Sequence, residues 1–134
     1  MSYCINPWCA KRDNPDDRDR CQTCDTPLRV RDRYRLTRPL RELDEWEPSE
    51  IFEVQDLETS STKVLKVLKK DILLPLFERE VITLQQLDHP GIPQVQEDGY
   101  FSLEVNGIGS GADQEVRSLY CLIMENIQGM NLDI

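Results

Sequence analysis

The segment KVLKVLKK, residues 63–70, restricts the possible fold more than any other stretch of the chain. Read as a strand, it alternates faces: Val64, Lys66 and Leu68 point one way, Leu65 and Val67 the other. Both faces are apolar except at Lys66, which implies a strand covered on both sides. A bare ammonium in such a layer is costly. Lys66 therefore either snorkels along its stem to an edge or faces a carboxylate.

Residues 71–91, DILLPLFEREVITLQQLDHPG, read as a helix that can supply that carboxylate. Asp71 suits the cap, Pro75 is tolerable only in the first turn, and His89-Pro90-Gly91 ends the run. A step of about 100° per residue gathers Leu73, Leu74, Leu76, Phe77, Val81, Leu84 and Leu87 into one apolar stripe. Glu80 falls inside that stripe, whereas Glu78, Arg79, Gln85 and Gln86 fall outside it. A carboxylate there needs a cation as much as Lys66 needs an anion. The economical arrangement is that the two side chains meet.

The neighbouring segments read as strands. RYRLTRPL (33–40), EIFEVQDL (50–57) and TKVLKVLKK (62–70) are separated by an acidic loop broken at Pro48 and by the turn ETSST. After the helix come QVQEDGYFSLEV (94–105), a loop over 106–115 and the apolar VRSLYCLIMENI (116–127). The expected fold is α+β: a five-stranded antiparallel sheet with one helix between its third and fourth strands. GIGSG (107–111) links two strands and opens no helix, so it reads as a hairpin loop and not a phosphate cradle.

Four of the five cysteines lie in the first 24 residues, Cys4 and Cys9 in CINPWC, Cys21 and Cys24 in CQTC. Two close pairs suit the tetrahedral preference of zinc, and four protein thiolates make a structural rather than a catalytic site. The alternatives are two disulfides or free thiols. Residues 1–28 hold few large apolar groups (Tyr3, Ile5, Trp8, Leu28) and cannot fold on burial alone. Metal binding would supply free energy on the order of 10 kcal/mol. Domains are accordingly expected at 1–28, a Cys4 zinc ribbon, and 29–134, the sheet and helix. Cys121, inside LYCLIM, reads as a small core residue.

Charge divides the same way. The chain carries a net −9, yet residues 1–41 hold ten Lys/Arg against six Asp/Glu, and the remainder six against nineteen. Arg29, Arg31, Arg33, Arg35 and Arg38 invite a nucleic-acid reading. Asp13, Asp16, Asp17, Asp19, Asp25 and Asp32 interrupt them, which favours a solvated surface. No apolar run approaches the roughly 20 residues of a membrane span. The amino-terminus does not resemble a signal peptide, so a cytoplasmic protein with reduced thiols and no membrane partner is expected.

The ordered set of features resembles the N-terminal lobe of a protein kinase. VLK (64–66) resembles the lysine strand, FEREVITLQQLDHPGI (77–92) the helix and turn after it, and CLIMENIQG (121–129) the last strand and hinge. With CINP…CQTC ahead of it, the chain resembles bacterial serine/threonine kinases that carry an amino-terminal four-cysteine ribbon. The resemblance covers nearly the whole chain. It implies that Lys66 holds the α/β-phosphates of ATP and Glu80 orients Lys66. Val64, with Ile51 at the position of the glycine motif's valine, would cover the adenine. Met124 would be the gatekeeper, and the backbone of Glu125, Asn126 and Ile127 would form the hinge.

Two departures qualify this. Counting back from Ile51 puts Asp44, Trp46 and Ser49 where the phosphate loop needs glycines, and Glu42, Asp44, Glu45, Glu47 and Glu50 bring negative charge to it. The 134 residues also hold no catalytic-loop HRD, DFG or activation segment. Zinc, and ATP with Mg2+, are the implied cofactors; a C-lobe or another protein is the implied partner. The chain is not expected to transfer phosphate by itself. The competing expectation is a zinc-ribbon, pseudokinase-like interaction module that does not bind ATP.

Overall fold

A computed structural model describes residues 2–9, 11–43, 48–86, 99–106 and 116–125. Strands run over β1 (Ser2–Tyr3), β2 (Asp13–Asn14), β3 (Arg29–Val30), β4 (Tyr34–Pro39), β5 (Ser49–Asp56), β6 (Ser61–Leu68), β7 (Tyr100–Asn106) and β8 (Val116–Glu125). Between β6 and β7 a 3-10 turn, Asp71–Leu73, leads into the helix α1, Leu74–Gln86. Pro75 falls in the first turn of α1, where its missing N–H costs no intrahelical bond.

The broad α+β expectation holds, with one correction to the sheet. Among the described residues it has eight strands, not five, in the order β2-β1-β4-β5-β6-β8-β7, with β3 also paired to β4. All the pairings are antiparallel. The five longer strands are the expected ones. The three additional strands are two residues each, too short to carry an alternating pattern, and they belong to the cysteine-bearing segment and the turn after it. Tyr3 pairs with Leu36, so the amino-terminal segment continues the sheet directly.

Strand β6 sits centrally and behaves as its sequence dictates. Lys66 lies in register between Ile51 of β5 and Leu122 of β8. Its two faces enter two different cores. Leu65 and Val67 pack with Leu36, Phe52, Val54, Leu119, Cys121 and Ile123, roofed by Ile5, Val30 and Tyr34. Val64 and Leu68 pack with Ile51, Leu122 and Met124 under Phe77 and Val81 of α1. Cys121 is fully buried and its thiol is pushed up by burial, as befits a small core residue.

The sheet is curled. Four inter-strand steps separate β4 from β7, about 19 Å if flat at the usual spacing. Yet the guanidinium of Arg31, on the β3–β4 turn, stacks 4.8 Å from the Phe101 ring of β7. That turn needs left-handed backbone at Arg31 and Asp32 (φ 56° and 57°).

Candidate functional site

Lys66 and Glu80 meet. The Lys66 ammonium donates to Glu80 Oε1 at 3.0 Å and Oε2 at 2.9 Å, a bidentate charge-assisted contact. The Lys66 side chain is 11% exposed and that of Glu80 34%, so the carboxylate reaches the pair from the solvent side. Phe77, one turn ahead of Glu80 on α1, sets its ring 5.9 Å from the ammonium. Phe77 in turn stacks at 6.0 Å on Tyr100 of β7. Burial, and then the nearby Glu78 carboxylate, raise the Tyr100 hydroxyl pKa.

The apolar surface beside the lysine is made by Ile51, Val64 and Met124, all buried on the α1 face. Val64 and Met124 are direct cross-strand partners, and Ile51 pairs with Lys66 itself. Glu125 is exposed at the end of β8, opposite Lys63. Asn126, Ile127, the Asp44 and Trp46 positions, the 107–111 loop and His89-Pro90-Gly91 lie outside the described residues.

Two expectations need correction in detail. The apolar stripe of α1 is narrower than the wheel suggests. Phe77 and Val81 are buried, Leu73, Leu74 and Leu84 are partly buried, but Leu76 is exposed. Leu76 stands about 100° from Phe77 on the wheel, at the far margin of the stripe, and that margin is not covered. Glu50 does not face the lysine pocket. It alternates with Ile51 and is buried on the opposite face, next to Arg12 and Lys69. The pattern SEIFEVQD already places Glu50 with Phe52 and Val54. Ser49 is buried as well, its carbonyl and hydroxyl accepting from Arg41 at 2.9 and 3.0 Å.

The four amino-terminal cysteines converge. Their sulfurs all lie within 4.8 Å of one another, with Cys4–Cys24 at 3.5 Å and Cys9–Cys21 at 3.6 Å. Tetrahedral zinc at about 2.3 Å from each sulfur requires sulfur separations of about 3.8 Å, so this donor set fits zinc. None of the five cysteines is in a disulfide. The CQTC turn is closed by Asp25 N donating to Cys21 O at 3.0 Å and Cys21 N to Thr26 O at 2.9 Å. Asp25 takes φ 63°, the left-handed conformation that lets the chain double back. Burial pushes the thiols of Cys4 and Cys9 up, the latter to about 12. Burial acts on Cys21 too, but the amides of Cys24 and Thr23 and the Asn14 side chain outweigh it and bring that thiol down to about 6. A divalent cation at the centre would hold all four as thiolates.

Three of the five arginines after the cysteines pair with acids. Arg33 forks onto Asp56 at 2.9 and 3.0 Å, Arg29 reaches Asp19 at 3.0 Å, and Arg38 reaches Glu53 at 3.1 Å. Asp56 is fully buried and also takes Lys63 at 2.8 Å. No described helix is long and apolar enough to cross a membrane.

No protein-family model matches the chain. It is 31% identical over 143 aligned positions to serine/threonine-protein kinase B of Synechocystis sp., an alignment covering 98% of this chain. The chain spans 22% of the length of that relative.

Proposed function

We propose that the chain is the amino-terminal, nucleotide-binding part of a serine/threonine protein kinase. Residues 1–28 are a structural zinc ribbon held by Cys4, Cys9, Cys21 and Cys24, and 29–134 are the N-terminal lobe. The observation that carries this reading is the Lys66–Glu80 contact between the central strand and the single helix. The similarity to the Synechocystis kinase along nearly the whole chain supports it.

In this reading Glu80 holds the Lys66 ammonium in place so that it can neutralise the α/β-phosphates of ATP with little reorganisation. Ile51, Val64 and Met124 form the apolar surface for the adenine, Met124 acting as gatekeeper. The backbone of Glu125, Asn126 and Ile127 supplies the hinge. Mg2+ would come with the nucleotide. Transfer of the phosphoryl group to a protein hydroxyl needs a catalytic base and metal-binding carboxylates from a C-lobe, beyond the HRD-less and DFG-less 134 residues.

A second reading, an interaction module that does not bind ATP, is favoured by one feature: Asp44, Trp46 and Ser49 stand where phosphate-approaching glycines would. Calorimetric titration with Mg-ATP separates the two. Under the first, ATP binds the zinc-loaded protein with micromolar to millimolar affinity, and Lys66→Met weakens it at least tenfold. No heat and no rise in Tm with the folded wild-type protein would leave only the second.

A further inference from the structure

The lysine pocket leaves unexplained a second buried charge cluster on the opposite face of the sheet. Glu50 lies between two cations. Arg12 donates through Nη2 to Oε1 at 2.8 Å and through Nη1 to Oε2 at 3.1 Å, and Lys69 Nζ donates to Oε2 at 3.2 Å. The side chains are 9%, 3% and 7% exposed for Arg12, Glu50 and Lys69. The guanidinium lies over the paired rings of Tyr3 and Phe52, 5.3 Å and 5.4 Å from their centroids.

Arg12 also holds the cysteine centre. Its Nε donates to the Cys4 carbonyl at 3.0 Å and its Nη2 to the Ile5 carbonyl at 3.3 Å. Its own carbonyl accepts from the Cys4 amide at 2.7 Å and from Asn14 Nδ2 at 3.1 Å, and that same nitrogen lies 3.5 Å from Cys21 Sγ. One residue thus runs from the backbone of Cys4 and Ile5 to a carboxylate adjacent in sequence to Ile51, the register partner of Lys66.

We propose that metal loading of the four thiols and the placement of Ser49–Ile51 are thermodynamically linked through Arg12. Metal fixes the Cys4 backbone, the Cys4–Arg12 pairing aims the guanidinium, and the guanidinium fixes Glu50. Arg12 is a positioning residue, neither a metal ligand nor a part of the lysine pocket. Linkage is reciprocal, so disturbing Glu50 must weaken metal binding although Glu50 touches no sulfur.

The test is zinc affinity of the full chain, by competition with a chromophoric chelator and without nucleotide, so that its result is independent of whether ATP binds. Glu50→Gln is expected to weaken zinc about tenfold, within the usual range of coupling between sites. Val81→Ala destabilises the fold from the α1 face and is expected to leave zinc affinity within twofold. An unchanged affinity in Glu50→Gln, or an equal loss in Val81→Ala, overturns the linkage. Should Glu50→Gln fail to fold, Arg12→Lys keeps the charge but loses the fork to the carbonyls. It is expected to show the same tenfold loss, and wild-type affinity in it also overturns the linkage.

Discussion

At the scale of single residues, the two halves of the central ion pair are not equivalent. Lys66 is the more deeply buried partner and Glu80 keeps a third of its surface in water. Removing the acid strands a cation among Ile51, Val64 and Phe77, whereas removing the cation leaves a carboxylate that can turn to solvent. Glu80→Ala is therefore expected to cost about 1–2 kcal/mol, after allowing for solvent screening of the exposed partner. Lys66→Met should lie within about 1 kcal/mol of wild type, because its stem is replaced by an apolar one of like size. Urea unfolding of the two variants checks the order, and equal losses would contradict it.

Asp56 is the residue whose titration matters most. Hydrogen bonds from Arg33 above all, then from Lys63, hold its carboxyl well below the usual range despite its burial. A depressed carboxylate stabilises the fold above its unfolded pKa of about 3.9, and that contribution fades as pH falls below it. Asp56→Asn should cost about 3 kcal/mol at neutral pH by leaving the buried Lys63 unmatched and Arg33 with Glu58 alone, 3.5 Å away. The gap to wild type should shrink as pH drops through 4 towards 2. Denaturant midpoints across that range read it directly.

At the scale of elements, strand β6 was almost fully legible and helix α1 only in part. A period of two over eight residues fixes both faces of β6, because slipping by one residue would turn Lys66 into the other core and bring Leu65 and Val67 under α1. The same rule, applied to SEIFEVQD, separates Glu50 from the loop acids with which it was counted, but its partner Arg12 is 38 positions away and no local pattern points to it. The α1 stripe was drawn too wide: Leu76, about 100° from Phe77, lies beyond the strip of helix that is buried. The helix rests on a small footprint of Phe77 and Val81, with Leu73, Leu74 and Leu84 at the margin. Phe77→Ala should remove about 3 kcal/mol or more, as it loses core volume, the Tyr100 stack and the ring beside Lys66. Leu76→Lys, at 61% exposure, should change stability by no more than about 0.5 kcal/mol. Comparable losses at the two positions would mean that the helix docks by another face.

At the scale of the whole molecule, composition and cysteine spacing pointed to a metal module ahead of a sheet, and the four sulfurs do converge. What spacing could not reveal is how the module joins the rest. Its strands carry two residues each, and their places are set by Leu36 and by the stacking of Arg12, not by their own sequence. Ile5 and Val30 roof the core formed by β4, β5, β6 and β8. Zinc is therefore expected at one ion per chain, and stripping it with a chelator should lower the melting temperature of the entire sheet in one transition. Two separate transitions, with the second at the original temperature, would show the two parts melting independently.

The stacking of Arg31 on Phe101 has a consequence for how copies of the chain behave toward each other. Among the described residues β7 ends the ladder, the position from which a sheet can pair with a passing strand. The curl that brings the hairpin tip over Phe101 bends this rim out of plane, and Glu104 adds charge to it. A rim that is bent, charged and stoppered by a guanidinium is a poor template for fibril growth, so Arg31→Ala should aggregate sooner than the parent protein at equal thermodynamic stability.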